Sequence, residues 1–277
     1  MIQRIVVAAI LVPVLFIVLF FLPPYILVGV ISLICAISAY ELLHSISGFR
    51  SKERLTIYAL FSAVLMPIGV YFEIGLQTFT AVFFALMCIL FIEGIVAFNT
   101  IRKIKFEQIL TALFAGAVIP YMLSTLISMR IMPEGRLLVL IPFVSAFLSD
   151  GGAYFIGVLI GKRKAFPKVS PKKTVEGFIG GIVIGTASVV VYGVVLNYTT
   201  FHYIEFWAFI LYGFVGAIAT ELGDLAFSLI KREYEIKDFG RLLPGHGGVL
   251  DRFDSMVFTA PAIYLLIMAI PAVIVRG

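Results

Sequence analysis

Apolar stretches of about twenty residues alternate with short polar connections along the whole chain. The pattern predicts nine helices, at 5–22, 25–46, 56–72, 78–98, 108–129, 137–160, 177–198, 206–230 and 256–275. A hydrocarbon core about 30 Å thick needs roughly 20 apolar residues per helix, so each stretch is a membrane-span candidate. Pro23-Pro24 closes the first one. That segment lacks an A-x-A-like cleavage site and is expected to stay as a mature helix, not to act as a signal peptide. Two connections interrupt the pattern with dense polarity: 161–177, GKRKAFPKVSPKKTVEG, and 228–254, SLIKREYEIKDFGRLLPGHGGVLDRFD.

Composition agrees with the pattern. Of 277 residues, 61% are hydrophobic and 13% charged, against about half and a quarter in soluble domains, and the mean hydropathy is +1.10. A soluble globular fold is excluded, and the expected class is an all-α polytopic membrane protein. Alternating the nine spans from a cytoplasmic N-terminus puts 18 of the 21 Lys and Arg on the inside. Only Arg130, Arg136 and Arg276 fall outside, as the positive-inside rule requires. The C-terminus is then expected outside. The net charge of +5 faces anionic headgroups, and the partner expected from it is a bilayer, not a nucleic acid. Cys35 and Cys88 fall within spans and offer neither a disulfide framework nor metal-ligand spacing. Residues 1–135 have short loops and few charges at membrane depth. Residues 136–277 hold both polar connections, so a scaffolding region and a catalytic region are expected within one continuous bundle.

The charges at membrane depth carry the chemistry. Glu221 and Asp224 are three apart, Ser228 is four beyond and Lys231 three more, which makes one polar stripe on a helix. Each charge facing lipid would cost at least about 2.5–3.5 kcal/mol, so the stripe must face a cavity, a metal or a partner. An internal salt bridge of Asp224 with Lys231 or Arg252 is the plainer alternative. Asp251 and Asp254 share a face at the start of the last span; with Asp224 they supply three hard oxygen donors suited to Mg²⁺. Asp251 alone could instead serve the helix dipole. Gly247 and Gly248 let backbone amides approach an anion, and His246 between glycines is either a phosphate donor or a turn residue. In the other connection, Ser170, Lys172, Lys173, Thr174 and Glu176 stand at a helix start and form a phosphate-binding set, though Thr174 could be only an N-cap. Asp150 in SDGGAY lies within the sixth span and needs a partner, while the small residues 151, 153, 157 and 161 suit close helix packing. Glu41, His44, Glu73 and Glu93 lie near span ends and receive no role.

Ser228 to Asp254 resembles the signature of the phosphatidate cytidylyltransferases, or CDP-diacylglycerol synthases, of the bacterial type. The resemblance is carried by Ser228, Ile230, Lys231, Arg232, Lys237, Asp238, Gly240, Leu243, Pro244, His246, Gly247, Gly248, Val249, Asp251, Arg252, Phe253 and Asp254. The upstream SDGGAY and SPKKTVEG are similar to family motifs as well, with Gly151 where Thr is common and Val175 where Trp is common. The likeness is concentrated in 145–260. It implies transfer of the cytidylyl group of CTP to phosphatidic acid, giving CDP-diacylglycerol and pyrophosphate at the cytoplasmic face of the cell (inner) membrane. It also implies Mg²⁺, K⁺ as a second metal, and a homodimer.

Residue chemistry gives this reaction named roles. The lipid phosphate is already anionic, so no strong base is needed; what is needed is relief of repulsion between anions. Asp224, Asp251 and Asp254 are expected to hold metal, with Glu221 as a further ligand candidate. Lys172, Lys173, Arg252 and His246 would neutralise phosphate, with Lys231 in the same catalytic set. Asp150, Ser170, Thr174, Glu176, Lys237, Asp238, Gly247 and Gly248 would form the nucleotide pocket. A transporter, in which Asp150, Glu221 and Asp224 line an ion path, and a CTP-using lipid kinase are the competing classes.

Overall fold

The structure, a computed structural model, describes residues 13–46, 53–72, 75–100, 103–200, 202–243, 245 and 247–275. Helices are α1 (13–20), α2 (Pro24–Ser45), α3 (Glu53–Tyr71), α4 (Gly75–Ala97), α5 (Phe106–Leu113), α6 (Ile119–Ile131), α7 (Gly135–Leu138), α8 (Ile141–Ile160), α9 (Val175–Thr199), α10 (Phe206–Glu233) and α11 (Leu250–Ala269). A π-helical turn at Phe114–Val118 joins α5 to α6. Two antiparallel pairs complete the fold, β1 (Lys164–Phe166) with β2 (Ser170–Thr174) and β3 (His202–Ile204) with β4 (Val273–Val275). Among the described residues, eight helical segments are long and apolar enough to cross a membrane, and they coincide with the last eight expected spans. The fold is an all-α polytopic membrane protein. The first expected span begins outside the described residues, as do Arg4, Arg50, Lys52, Glu73, Arg102, Pro244, His246 and Arg276.

The last span departs from expectation at both ends. Its helix starts at Leu250, not 256, so Asp251 lies in the first turn and Asp254 one turn further along. It stops at Ala269, not 275. Pro271 has no amide hydrogen to continue the helix, and the β-branched Val273–Val275 pairs with β3 instead.

The chain forms two compact units, Met1–Ile131 with Tyr234–Phe253, and Met132–Glu233 with Asp254–Gly277. Most of the signature segment therefore packs with the N-terminal helices. In the first unit, α3 crosses the π-helical turn closely, because a side chain at Gly116 would run into the Ala59 backbone. Ser62 Oγ donates to the Gly116 carbonyl at 2.7 Å, a partner for backbone where the helical ladder changes register. Buried Arg130 donates from Nε to the Leu19 carbonyl at 2.8 Å and from Nη2 to the Leu22 carbonyl at 3.0 Å, capping the end of α1.

In the second unit, α10 shows an inverted pattern. Trp207, Ile210, Phe214, Ile218, Leu222 and Leu229 are exposed at helical spacing, while Gly213, Gly216, Thr220, Glu221, Ser228 and Lys231 are buried. An exposed apolar row suits lipid, and the small and polar residues face protein. The contact between α8 and α9 is equally close: a Cβ at Gly181 would press on Ala153 and the Ser149 carbonyl, and one at Gly185 on Ser149. Gly151, expected in this packing, faces open space; Gly152 packs on Ile184 instead.

Contacts within each unit pair chain ends that alternation of the spans puts on the same side of a bilayer. Arg130 meets the end of α1, the Tyr234 hydroxyl donates to Glu107 at 2.8 Å, the Arg232 guanidinium donates to the Val169 carbonyl, and β3 pairs with β4.

Candidate active site

The β1–β2 hairpin decides which lysine of the basic connection turns inward. Lys172 is exposed, whereas the Lys173 side chain retains 18% of its accessibility. Side chains alternate along a strand, so neighbouring lysines take opposite fates. β2 runs directly into α9, and Thr174 is the N-cap, its hydroxyl oxygen accepting from the Gly177 amide at 3.1 Å. Glu176 Oε2 accepts from the amides of Lys162 and Arg163 at 3.1 and 3.2 Å, tying the entry of the hairpin to the start of α9. Ser170, at the start of β2, is half-buried.

Lys173 reaches α10, where its Nζ lies 2.5 Å from Glu221 Oε2 and 2.8 Å from Asp224 Oδ2. Burial works against the Lys173 charge, but Asp224 and Glu221 outweigh it and hold the pKa above the ordinary lysine range. The internal salt bridge weighed for Asp224 thus exists with Lys173 as its cation, in place of Lys231 or Arg252. Lys231, one turn beyond Ser228 on the same stripe, lies 3.6 Å from Asp254 Oδ2 on α11. Asp254 Oδ1 accepts from the Ser255 amide. Asp150 on α8 is exposed and sits in the field of Asp224 and Glu221, with Lys173 opposing and Asp254 adding. Asp150, Lys173, Glu221, Asp224, Lys231 and Asp254 thereby form one neighbourhood in the second unit.

This neighbourhood holds four carboxylates against two ammonium groups. Glu221 Oε1 is buried without a hydrogen-bond partner, as are the hydroxyls of Ser145 and Ser149. An oxygen-only donor set with surplus negative charge and an unsatisfied buried carboxylate oxygen fits a hard divalent cation. Among the described residues, no three His, Cys, Asp or Glu side chains converge as ready ligands.

Asp251 belongs to the first unit. Its Oδ2 accepts from the amides of Phe239 and Gly248 at 2.9 and 3.0 Å, which folds the signature loop onto the start of α11. Gly247 takes φ +83°, a left-handed conformation that suits glycine, and its carbonyl accepts from Leu243 N at 3.0 Å. Lys237, Asp238 and Arg252 are exposed. His246 lies outside the described residues. Gly248 is buried, and a side chain there would strike the Glu41 carboxylate. Glu41, given no role from sequence, is itself buried at 6% exposure and accepts from Val249 and Leu250. Its signal, a carboxylate one turn before the end of a span, resembles an interfacial anchor, and nothing local marks its distant partners.

A model of the cytidylyltransferase family matches residues 2–270. A phosphatidate cytidylyltransferase of Staphylococcus saprophyticus is 42% identical over 137 residues, 50% of this chain and 51% of that protein. One from Staphylococcus haemolyticus is 43% identical over 135 residues, 49% and 50% of the two chains. One from Bacillus subtilis is 45% identical over 119 residues, 43% of each. The chain spans about half the length of these curated relatives. With a family model covering nearly all of its residues, the chain belongs to the cytidylyltransferase family.

Proposed function

We propose that the protein transfers the cytidylyl group of CTP to phosphatidic acid, releasing pyrophosphate and leaving CDP-diacylglycerol in the membrane. The observation that carries this reading is Lys173, held between Glu221 and Asp224 inside a bundle of lipid-facing helices, with Asp150 and Asp254 beside it. A buried cation among carboxylates, next to a membrane, suits the meeting of a soluble polyphosphate and an anionic lipid.

The lipid phosphate attacks the CTP α-phosphorus, and the bond from that phosphorus to the bridging oxygen of the β-phosphate breaks. Lys173 and Lys231 offset the phosphate charge, and the glutamate and aspartates keep both ammonium groups aimed inward before substrate arrives. Asp224 and Asp254, with Glu221, would hold Mg²⁺, which when bound neutralises phosphoryl oxygens and lets two anions approach. The exposed Lys172, Lys237 and Arg252 draw nucleotide toward the cytoplasmic face, the side to which the basic connections are assigned.

The test is incorporation of labelled CTP into chloroform-soluble product by the purified protein with phosphatidic acid. Mg²⁺-dependent CDP-lipid with stoichiometric pyrophosphate is expected. Phospholipid with CDP as co-product would assign the protein to the lipid kinases and overturn the reading. Asp224→Asn and Asp254→Asn are each expected to lower kcat by about 100-fold or more; near-normal rates in both would remove the metal assignment.

A further inference from the structure

The loop that carries the family signature is held by a residue far outside it. Glu41 stands one turn before the end of α2, buried to 6% exposure. Its Oε1 accepts from Val249 N at 3.1 Å and its Oε2 from Leu250 N at 2.9 Å. Leu250 begins α11, and the first amides of a helix have no partner within it. A carboxylate there satisfies them and complements the positive end of the helix.

The same carboxylate accounts for two glycines of the signature. A Cβ added at Gly240 or at Gly248 would collide with Glu41 carboxylate atoms. Asp251 completes the arrangement from inside the loop by accepting from Phe239 N and Gly248 N. Two carboxylates therefore hold four backbone amides, at Phe239, Gly248, Val249 and Leu250, and only one of them belongs to the signature.

We infer that Glu41 is a positioning residue for the cytidylyl transfer: it holds the signature loop in the shape in which the loop can serve the nucleotide, and Gly240 and Gly248 are small to admit it. The catalytic half of this inference rests on the proposed function; the conformational half does not.

The experiment uses the full chain in lipid nanodiscs and compares Glu41→Gln, Glu41→Ala, Gly248→Ala and the double variant Glu41→Ala/Gly248→Ala. Glutamine keeps the shape of the side chain but offers an NH₂ group to one of two amide donors, so a folded protein with a loosened loop is expected. Amide hydrogen exchange over 238–250 should rise about tenfold or more in every variant, with α9 peptides unchanged. The double variant should exchange no faster than Glu41→Ala, because the carboxylate that a methyl group at position 248 would strike is gone. Glu41→Gln should lower kcat/KM for CTP by about tenfold with little change in the KM for phosphatidic acid, a split that general destabilisation would not give. Unchanged exchange over 238–250 in both Glu41 variants, or additive effects in the double variant, would overturn the inference. A parent chain without CTP turnover would overturn the proposed function and the catalytic half together, and exchange would still decide the conformational half.

Discussion

Lys173 ties the stability of the fold to the proposed chemistry through one side chain. Replacing it with Met leaves Glu221, whose side chain has no exposure, without a counter-charge. Breaking a buried pair in this way costs about 3–5 kcal/mol. Lys173→Met should therefore lower the melting temperature strongly, and Lys173→Met/Glu221→Gln should restore much of it while turnover stays lost. Equal turnover in the double variant and the parent would remove Lys173 from the chemistry. The pH dependence follows from the direction of its shift. The folded pKa lies above the unfolded one, so the stabilisation is complete below the ordinary lysine value and is lost only as pH rises through the raised one. Titration of Lys173 itself should thus cost stability only at alkaline pH, measurable as a fall in the parent's melting temperature above the ordinary lysine range that Lys173→Met lacks. The sequence marked Lys172 and Lys173 alike as phosphate binders, because adjacent lysines differ only once a strand places them on opposite faces. Glu41 was illegible for another reason: its partners are backbone amides 208 and 209 positions away, and backbone leaves no trace in composition.

Elements read from periodicity alone were mostly correct because a membrane helix must be long, apolar and continuous. Eight expected spans reappear, with errors at their ends. The α11 boundary moved because Asp251 and Arg252 lower local hydropathy although they lie in the first helical turn. Their partners, not their polarity, decide that the helix has begun. The β1–β2 hairpin was read as a basic loop, since it has only two short strands. Its link to α9 depends on Thr174, and Thr174→Ala should cost about 1 kcal/mol through the lost cap, while Thr174→Ser should cost little. Thermal unfolding in nanodiscs measures both. A loss in Thr174→Ser as large as in Thr174→Ala would show that the methyl group, not the cap, matters here.

At the level of the whole molecule, the excess of basic residues leads to the expectation that one set of ends is cytoplasmic, and the contacts of Arg130, Tyr234, Arg232 and the β3–β4 pair lie between ends that alternation puts on one side. Absolute orientation has a direct test. In a chain lacking Cys35 and Cys88, Lys168→Cys should resist a membrane-impermeant maleimide in intact cells, and Tyr203→Cys, at 50% exposure, should react. The opposite pattern would invert the topology and place the lysine-carboxylate site away from the CTP pool. The β3–β4 pair has a mechanical consequence. It joins residues just past the end of α11 to the connection between α9 and α10 through three register pairs. A helix in lipid can slide along its own axis at little cost, because one apolar side chain replaces another at each depth. Here sliding would shear the strand register. The clip therefore acts as an axial stop, fixing from the opposite end of the helix how Asp254 lines up with Lys231 on α10.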